Sequence, residues 1–285
     1  MSENCCPICH GLMIEALQNW HFSCAGCSYE KSSLTPTINE KNLHKNIDEI
    51  AREEGLRELR IDNFKILLSV IRQYQSRGGS LLDVGCAHGW FLEIAKDDFD
   101  VLGLEPDQSI YAATAAGGLP VRNGYFPQAL QSAETFDVIV FNDVLEHIPA
   151  IAETLNACHK RLNEGGLLVI NIPSSDGLFY RLSRLLTRFG YSGFFERLWQ
   201  KGLPSPHVHY FNKKNLTELL MSNGFTPVSN GRLPAVKLTG LYKRVSFTGT
   251  KSRLSTIIIY ALVTLSLPVL RLFPSDIIYL IARKS

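Results

Sequence analysis

Leu81-Leu82-Asp83-Val84-Gly85-Cys86-Ala87-His88-Gly89 is the stretch that decides the fold. An apolar run ends on an acid, glycines bracket a tight turn, and helix-compatible residues follow from His88 to Lys96. Strand, glycine turn and helix in that order bring unsatisfied N–H groups and a positive helix end to the edge of a sheet. Glycine there lets the backbone approach a ligand closely. Glu105 closes the next apolar run, 22 residues beyond Asp83, where an acid is placed to take ribose hydroxyls.

Outward from the loop, helical and strand patterns alternate. A long helix is predicted over about 47–76, then strand 80–84, helix 88–96, strand 100–104, helix 107–116 and a short strand near 119–122. A short helix after Pro127, strand 136–141, helix 150–162 and strand 166–171 follow. Residues 174–206 read as an insertion with helical pieces. Helix 212–222, strand 225–231, an apolar helix near 254–270 and a last strand near 277–283 complete the chain. That order predicts an α/β fold, a mostly parallel seven-stranded sheet with helices on both faces.

Spacing separates two kinds of ligand. A dinucleotide pyrophosphate calls for G-x-G-x-x-G, and Gly85, Ala87 and Gly89 do not supply it. The pattern D-x-G-x-A-x-G instead resembles the first motif of the class I S-adenosylmethionine-dependent methyltransferases. Phe136-Asp137-Val138-Ile139-Val140-Phe141-Asn142-Asp143-Val144-Leu145-Glu146-His147 is similar to that family's fourth strand and its turn. Leu162-Asn163-Glu164-Gly165-Gly166-Leu167-Leu168-Val169 is similar to its entry to the fifth strand. Pro206-His207-Val208-His209-Tyr210-Phe211, with Gly224-Phe225 beyond, resembles a segment of a subgroup linked to sugar and envelope-glycan modification. The resemblance covers most of residues 47–285 and implies a Rossmann-like domain binding S-adenosylmethionine. Its cofactor contacts would be Asp83, Gly85, Ala87, Gly89 and Glu105, with Asn142 and Asp143 lining the pocket. The region that often supplies an acidic adenine contact reads Arg122-Asn123-Gly124-Tyr125-Phe126, so adenine is left to Asn123, to backbone groups or to an aromatic ring.

A sulfonium already activates its methyl group, so the protein chiefly aligns the acceptor, and a hydroxyl acceptor must also lose a proton. His207 and His147 are the candidate bases, His207 preferred, with His147 alternatively shaping the pocket; His209 reads as a packing partner of Tyr210.

Residues 1–30 are cysteine-rich. Cys6-Pro7-Ile8-Cys9 and Cys24-Ala25-Gly26-Cys27 are two C-x-x-C knuckles separated by fourteen residues, the spacing of a tetrahedral thiolate shell for structural Zn²⁺. His10 and His21 are alternative ligands, while Cys86 and Cys158 read as buried small residues. Residues 31–46, with Pro36, read as a linker.

A net charge of +2 gives no wholesale attraction to nucleic acid, and none is expected as partner. The first residues lack the apolar region of a signal peptide, and the cysteine usage suits a reducing cytoplasm. Between Glu218 and Asp276 no acid occurs, whereas Arg232, Lys237, Lys243, Arg244, Lys251, Arg253 and Arg271 do. Leu254–Leu270 is uncharged but short of the about 20 residues needed to span a bilayer. A buried helix is the reading preferred there; peripheral contact with an anionic membrane at its inner face is the rival. Arg181, Arg184 and Arg188 share one helix face, either on a lid for an anionic substrate or on such a membrane face. The expected function is methyl transfer to O or N of a small-molecule or glycan acceptor, such as a nucleotide- or lipid-linked sugar. Two rivals remain, an inactive methyltransferase-like binding protein and a nucleic-acid methyltransferase guided by the ribbon. The second lacks a D/N-P-P-Y/F tetrapeptide at Asn142-Asp143-Val144-Leu145.

Overall fold

A computed structural model describes residues 5–39, 49–75, 78–237, 240–242, 253–270 and 272–285. Its centre is a sheet of β4 (Ser80–Val84), β5 (Asp100–Glu105), β6 (Val121–Asn123), β7 (Phe136–Asn142), β8 (Leu162–Pro173), β10 (Phe225–Leu233) and β11 (Ile277–Lys284). The strand order is β10-β11-β8-β7-β4-β5-β6, with β11 antiparallel to both neighbours and the other pairs parallel. The expected seven-stranded, mostly parallel Rossmann-like sheet is present. Chain direction across the sheet reverses between β4 and β7, so a crevice opens at the carboxyl ends of these strands.

Both faces are buried, and the period-2 alternation of side chains divides the apolar residues between them. Leu82, Val84, Ile139, Phe141, Leu168 and Ile170 point to one face, under α4 (Ile151–Arg161) and α7 (Lys213–Ser222). Leu81, Val138, Val140, Leu167 and Val169 point to the other, under α1 (Glu49–Tyr74) and α2 (Trp90–Ala95). Asp107 caps α3 (Gln108–Ala116) by accepting from the N–H groups of Ser109 and Ile110, and Asn212 with Asn215 forms a capping box on α7. The helix expected after Pro127 is absent: residues 125–130 form turns closed by Ala129 N–H to Tyr125 and Leu130 N–H to Pro127.

The N-terminal segment folds as β1 (Met13–Glu15), β2 (His21–Cys24) and β3 (Glu30–Ser32), and β3 pairs with β9 (His209–Tyr210), a two-residue strand far along the chain. Cys6, Ile8, Met13, Cys24 and Tyr29 belong to the same buried cluster as the sheet's first face. Trp20 packs with Tyr180, Phe195, Trp199 and Tyr210, which joins the ribbon to α5 (Leu178–Arg188) and α6 (Gly193–Leu198) of the insertion. Of the expected linker, residues 31–32 finish β3 and 35–38 line the central cavity, while 40–46 fall outside the described residues.

Candidate active site

The cavity at the carboxyl ends of β4, β5 and β7 measures about 830 Å³. Asp83, Gly85, Ala87, Glu105, Asn142, Asp143, His147 and His207 all line it, so residues spread over 125 positions of sequence meet at one place. Gly89 lies behind the wall and its neighbours His88 and Trp90 face the cavity. Gly85 and Gly89 adopt φ of 70° and 71°, the left-handed region that glycine enters without cost. A methyl group on Gly85 would come within 2.7 Å of Val144, and one on Gly89 would overlap Leu119. Ala87, where a glycine is usual, holds a φ of 46°, a strain of ~1 kcal/mol. Two hydrogen bonds retain it there: its N–H donates to Glu105 Oε2 at 2.9 Å, and its carbonyl accepts from Thr114 Oγ1 at 2.8 Å.

Glu105 is therefore fixed at both ends. Its second oxygen accepts from Asp107 N–H at 2.8 Å, and the loop, β5 and α3 close around one carboxylate. Burial raises its pKa, opposed by those two N–H groups. Asp83 is less well served: Asn142 Nδ2 at 3.4 Å is its side-chain contact. Burial lifts Asp83 to about 8, with Asn142 opposing and the Glu105 charge adding to the rise. Asn123 does not face the cavity but donates to the carbonyls of Glu105 and Pro106. Gly124, Tyr125 and Phe126 do face it, together with Ile110.

The opposite wall comes from Glu146 and His147 of the turn Leu145–His147 after β7 and from Gln200, Pro204, Ser205 and His207. His147 and His207 lie with ring centroids 4.7 Å apart. The Nδ1–H of His147 donates to the Pro206 carbonyl at 3.0 Å, and His207 Nε2 accepts from the Gln200 side-chain N–H at 2.9 Å. Beside them is Glu146, 1% exposed, with its carboxylate within 4.8 Å of a ring nitrogen of each histidine. Burial raises its pKa far above the usual carboxylate range and the nearby Asp143 charge adds to that, opposed by its own main-chain N–H and by the Arg60 charge. Sequence reading passed over Glu146, since a buried acid next to a histidine has no periodic signature. Residues 35–38, Gln200, Pro204 and Ser205 escaped it as well.

His209 does not reach the cavity lining. Its Nδ1 accepts from the Tyr29 hydroxyl and its Nε2–H donates to the Ile148 carbonyl at 2.9 Å. It packs on Tyr29 and Phe211, not on Tyr210 as expected, and burial drops its pKa to about 4.

In the ribbon, the sulfurs of Cys6, Cys9, Cys24 and Cys27 lie within 4.8 Å of one another. Cys6 and Cys27 stand 3.5 Å apart, Cys9 and Cys24 3.3 Å. Thiolates around a tetrahedral Zn²⁺ with bonds near 2.3 Å stand ~3.8 Å apart, so small side-chain shifts suffice for the ion. Gly11 and Gly26 leave room around Cys9, where an added methyl would stand 3.3 and 3.2 Å from its sulfur. At Cys24, burial works against the thiolate, but N–H groups of Cys27 and Gly26 and the Cys9 thiol outweigh it and bring the pKa to about 7. His21 is not in this group: its Nε2–H donates to Glu30 at 2.6 Å. Exposed His10 lies outside it too. Cys86 and Cys158 are buried, as expected.

A family model described as "Methyltransferase domain" matches residues 52–230. The chain belongs to that methyltransferase family. The domain is of the class I, S-adenosylmethionine-dependent kind, and the loop, Glu105 and the cavity fit that cofactor. A ribosomal protein L11 methyltransferase of Nitratiruptor is 28% identical over 50% of this chain and 55% of its own length. A ubiquinone biosynthesis O-methyltransferase of Rhizobium etli is 31% identical over 33% of this chain and 40% of its own. The chain thus spans only about half the length of these curated relatives. Among solved structures, a chain from the complex of the Haloferax volcanii Trm112 methyltransferase activator with a methyltransferase superposes with a TM-score of 0.57 at 13% identity, covering 84% of this chain and 97% of that one. An S-adenosylmethionine-dependent methyltransferase of Thermotoga maritima gives 0.55 at 13% identity, covering 83% and 96%. Identities that low show the fold alone.

Two expectations need correction. No α5 residue lines the cavity, so its arginines do not form a lid there; Arg184 instead pairs with Glu30 of the ribbon at 2.9 Å. The apolar helix α8 (Arg253–Leu270) is not buried: Leu262 is exposed, and Leu265 is 76% exposed. Lys243, Arg244, Lys251 and Arg271 lie outside the described residues.

Proposed function

We propose that the protein moves the methyl group of S-adenosylmethionine to an oxygen or nitrogen of a small or glycan-type acceptor. The observation that carries this is Glu105, clamped on the N–H groups of Ala87 and Asp107 with its carboxylate at the cavity wall. A carboxylate held so can take further hydrogen bonds from ribose hydroxyls without reorganising. Asp83, Gly85, Ala87 and Asn142 then meet the methionine portion, and Tyr125, Phe126 and Ile110 enclose the adenine. Asp143, His147 and His207 face the space left for the acceptor, and the two histidines activate its nucleophile. The four cysteines of the ribbon hold a structural Zn²⁺.

A lipid-linked sugar is the acceptor class that best suits the outer surface. α5 buries Tyr180, Ser183 and Thr187 and turns Leu182, Leu185 and Phe189 outward, beside Arg181 and Arg188. An outward apolar stripe flanked by arginines suits the headgroup boundary of an anionic membrane, on the cytoplasmic side. No helix of the described residues is long and apolar enough to cross a membrane.

S-adenosylhomocysteine at about 100 times its dissociation constant should stabilise the protein by ~2.7 kcal/mol in a thermal melt. Glu105→Ala should lose that response. No stabilisation by either form of the cofactor would sink the proposal, whereas stabilisation without turnover on nucleotide- and lipid-linked sugars would favour an inactive binding scaffold.

A further inference from the structure

We infer that Asn39 is a positioning residue for cofactor binding, because it holds the carbonyl end of the peptide unit whose N–H end holds Glu105. Its role rests on the ribose contact proposed for Glu105, which lies 66 positions further along the chain.

A peptide unit is planar and trans, so its C=O and N–H point in opposite directions and turn together. In the unit between Pro106 and Asp107, the N–H donates to Glu105 Oε1 at 2.8 Å. The carbonyl of the same unit accepts from Asn39 Nδ2–H at 2.8 Å. Asn39 Oδ1 accepts in turn from Gln108 N–H, in the next unit, at 3.4 Å. One side-chain amide therefore grips both peptide units of Asp107, and neither can rotate without giving up a contact. The bonds run in series from Asn39 through the peptide to the carboxylate, and bonds in such a chain polarise one another. Asn123 is a weaker second hold, with Nδ2 3.3 Å from the Pro106 carbonyl and 2.9 Å from that of Glu105.

The segment before Asn39 delivers it to this place. Residues 33–37 belong to no helix or strand, and Pro36 fixes its own φ and biases Thr35 toward extended geometry. Thr37 N–H donates to the Pro204 carbonyl at 2.7 Å, which ties the segment to the wall carrying His207. Two residues later the chain reaches the wall carrying Glu105, and residues 35–38 line the cavity. Asn39 there adopts a φ of 70°, left-handed backbone that asparagine tolerates better than most side chains. Asn39 is exposed, so burial does not keep it in that conformation; its amide contacts do.

A carboxylate accepts from ribose hydroxyls with a strength that depends on the angle of approach. Without Asn39 the Pro106–Asp107 unit can tilt, and its N–H swings away from Oε1. Glu105 is then left on the Ala87 N–H at 2.9 Å and can turn about that contact. The lost aim weakens ligands through the ribose hydroxyls they present to Glu105, and leaves the contacts of Asp83 and Gly85 as they are.

Asn39→Gly removes the amide and keeps the positive φ, so it isolates these contacts. Full-length wild type and variant are titrated in a calorimeter with S-adenosylhomocysteine and with its 2′-deoxy analogue. The wild type should bind S-adenosylhomocysteine at least about tenfold more tightly than the analogue, the effect of one hydrogen bond to a carboxylate. Asn39→Gly should weaken S-adenosylhomocysteine about five- to tenfold and the analogue less than about twofold. Its melting temperature should fall by no more than ~3 °C, since the side chain is exposed. No loss in the variant, or an equal loss for both ligands, overturns the positioning role and leaves the ribose contact of Glu105 standing. A wild type that does not distinguish the two ligands overturns that contact, and the role of Asn39 with it.

Discussion

Asp83 faces the cavity with one long contact from Asn142, and burial lifts its pKa to about 8. The folded protein holds this proton at pH values where the unfolded chain has released it. Stability therefore falls as pH rises from about 4 to about 8, the reverse of an ion-paired acid. Glu105 and Glu146, also raised, act in the same direction. Asp83→Asn should flatten this slope in ligand-free protein and stabilise it at pH 8 by a few kcal/mol, read as unfolding free energy against pH. At Gly85, alanine must both hold a φ of 70° and push into Val144 at 2.7 Å. Gly85→Ala should weaken S-adenosylhomocysteine by at least about tenfold in calorimetry, through a loop moved off its ligand. The place of Gly85 and Glu105 at the cavity was legible because the strand–turn–helix pattern and the acid closing the next strand fall at fixed offsets. Glu146 was not, since its environment is made by His207 from 61 positions away.

At the scale of elements, the strands and most helices of the central domain were legible because both sheet faces are covered and α1, α2, α4 and α7 lay apolar residues on them. What escaped was made by distant partners. β9 has two residues and exists because β3 pairs with it, and no periodicity marks a strand that short. The ribbon's grip on the active site follows from that pairing. Ser32 N–H donates to the Val208 carbonyl at 3.0 Å, and Ser32 Oγ–H donates to the His207 carbonyl. Tyr29 and His209 extend the link to Ile148, on the turn that carries Glu146 and His147. On the proposed structural Zn²⁺, Cys24→Ser should weaken retention of added Zn²⁺ and cost on the order of 4 kcal/mol in unfolding free energy. The amides of 208–210 should then exchange hydrogen faster. Affinity for S-adenosylhomocysteine, set by the loops after β4 and β5, should stay within about threefold.

At the scale of the whole molecule, the distribution of apolar surface is the feature that folding alone does not explain. A helix normally buries its apolar stripe, yet α5 faces the ribbon with Tyr180, Ser183 and Thr187 and the solvent with Leu185, 49% exposed, and nearby Phe189, 72% exposed. Tyr180 and Arg184 are held by Glu30, so the helix is fixed in this rotation by buried polar contacts. Phe273, also exposed, shares one groove with Leu182, Leu185, Arg181 and Arg188. Each arginine near an anionic bilayer contributes ~1 kcal/mol, and each leucine or phenylalanine leaving water ~1.5–3 kcal/mol at most. Together they suffice for reversible adsorption, and the charge contribution is screened by salt. The full chain should therefore sediment with vesicles of phosphatidylcholine and phosphatidylglycerol at low ionic strength and much less in 0.5 M salt or with neutral vesicles, on the order of tenfold. Leu185→Glu and Phe189→Glu should each cut that binding by about tenfold while leaving the melting temperature unchanged, because neither side chain packs in the folded core. Equal sedimentation of wild type and variants, or none at all, would assign this surface to something other than a membrane.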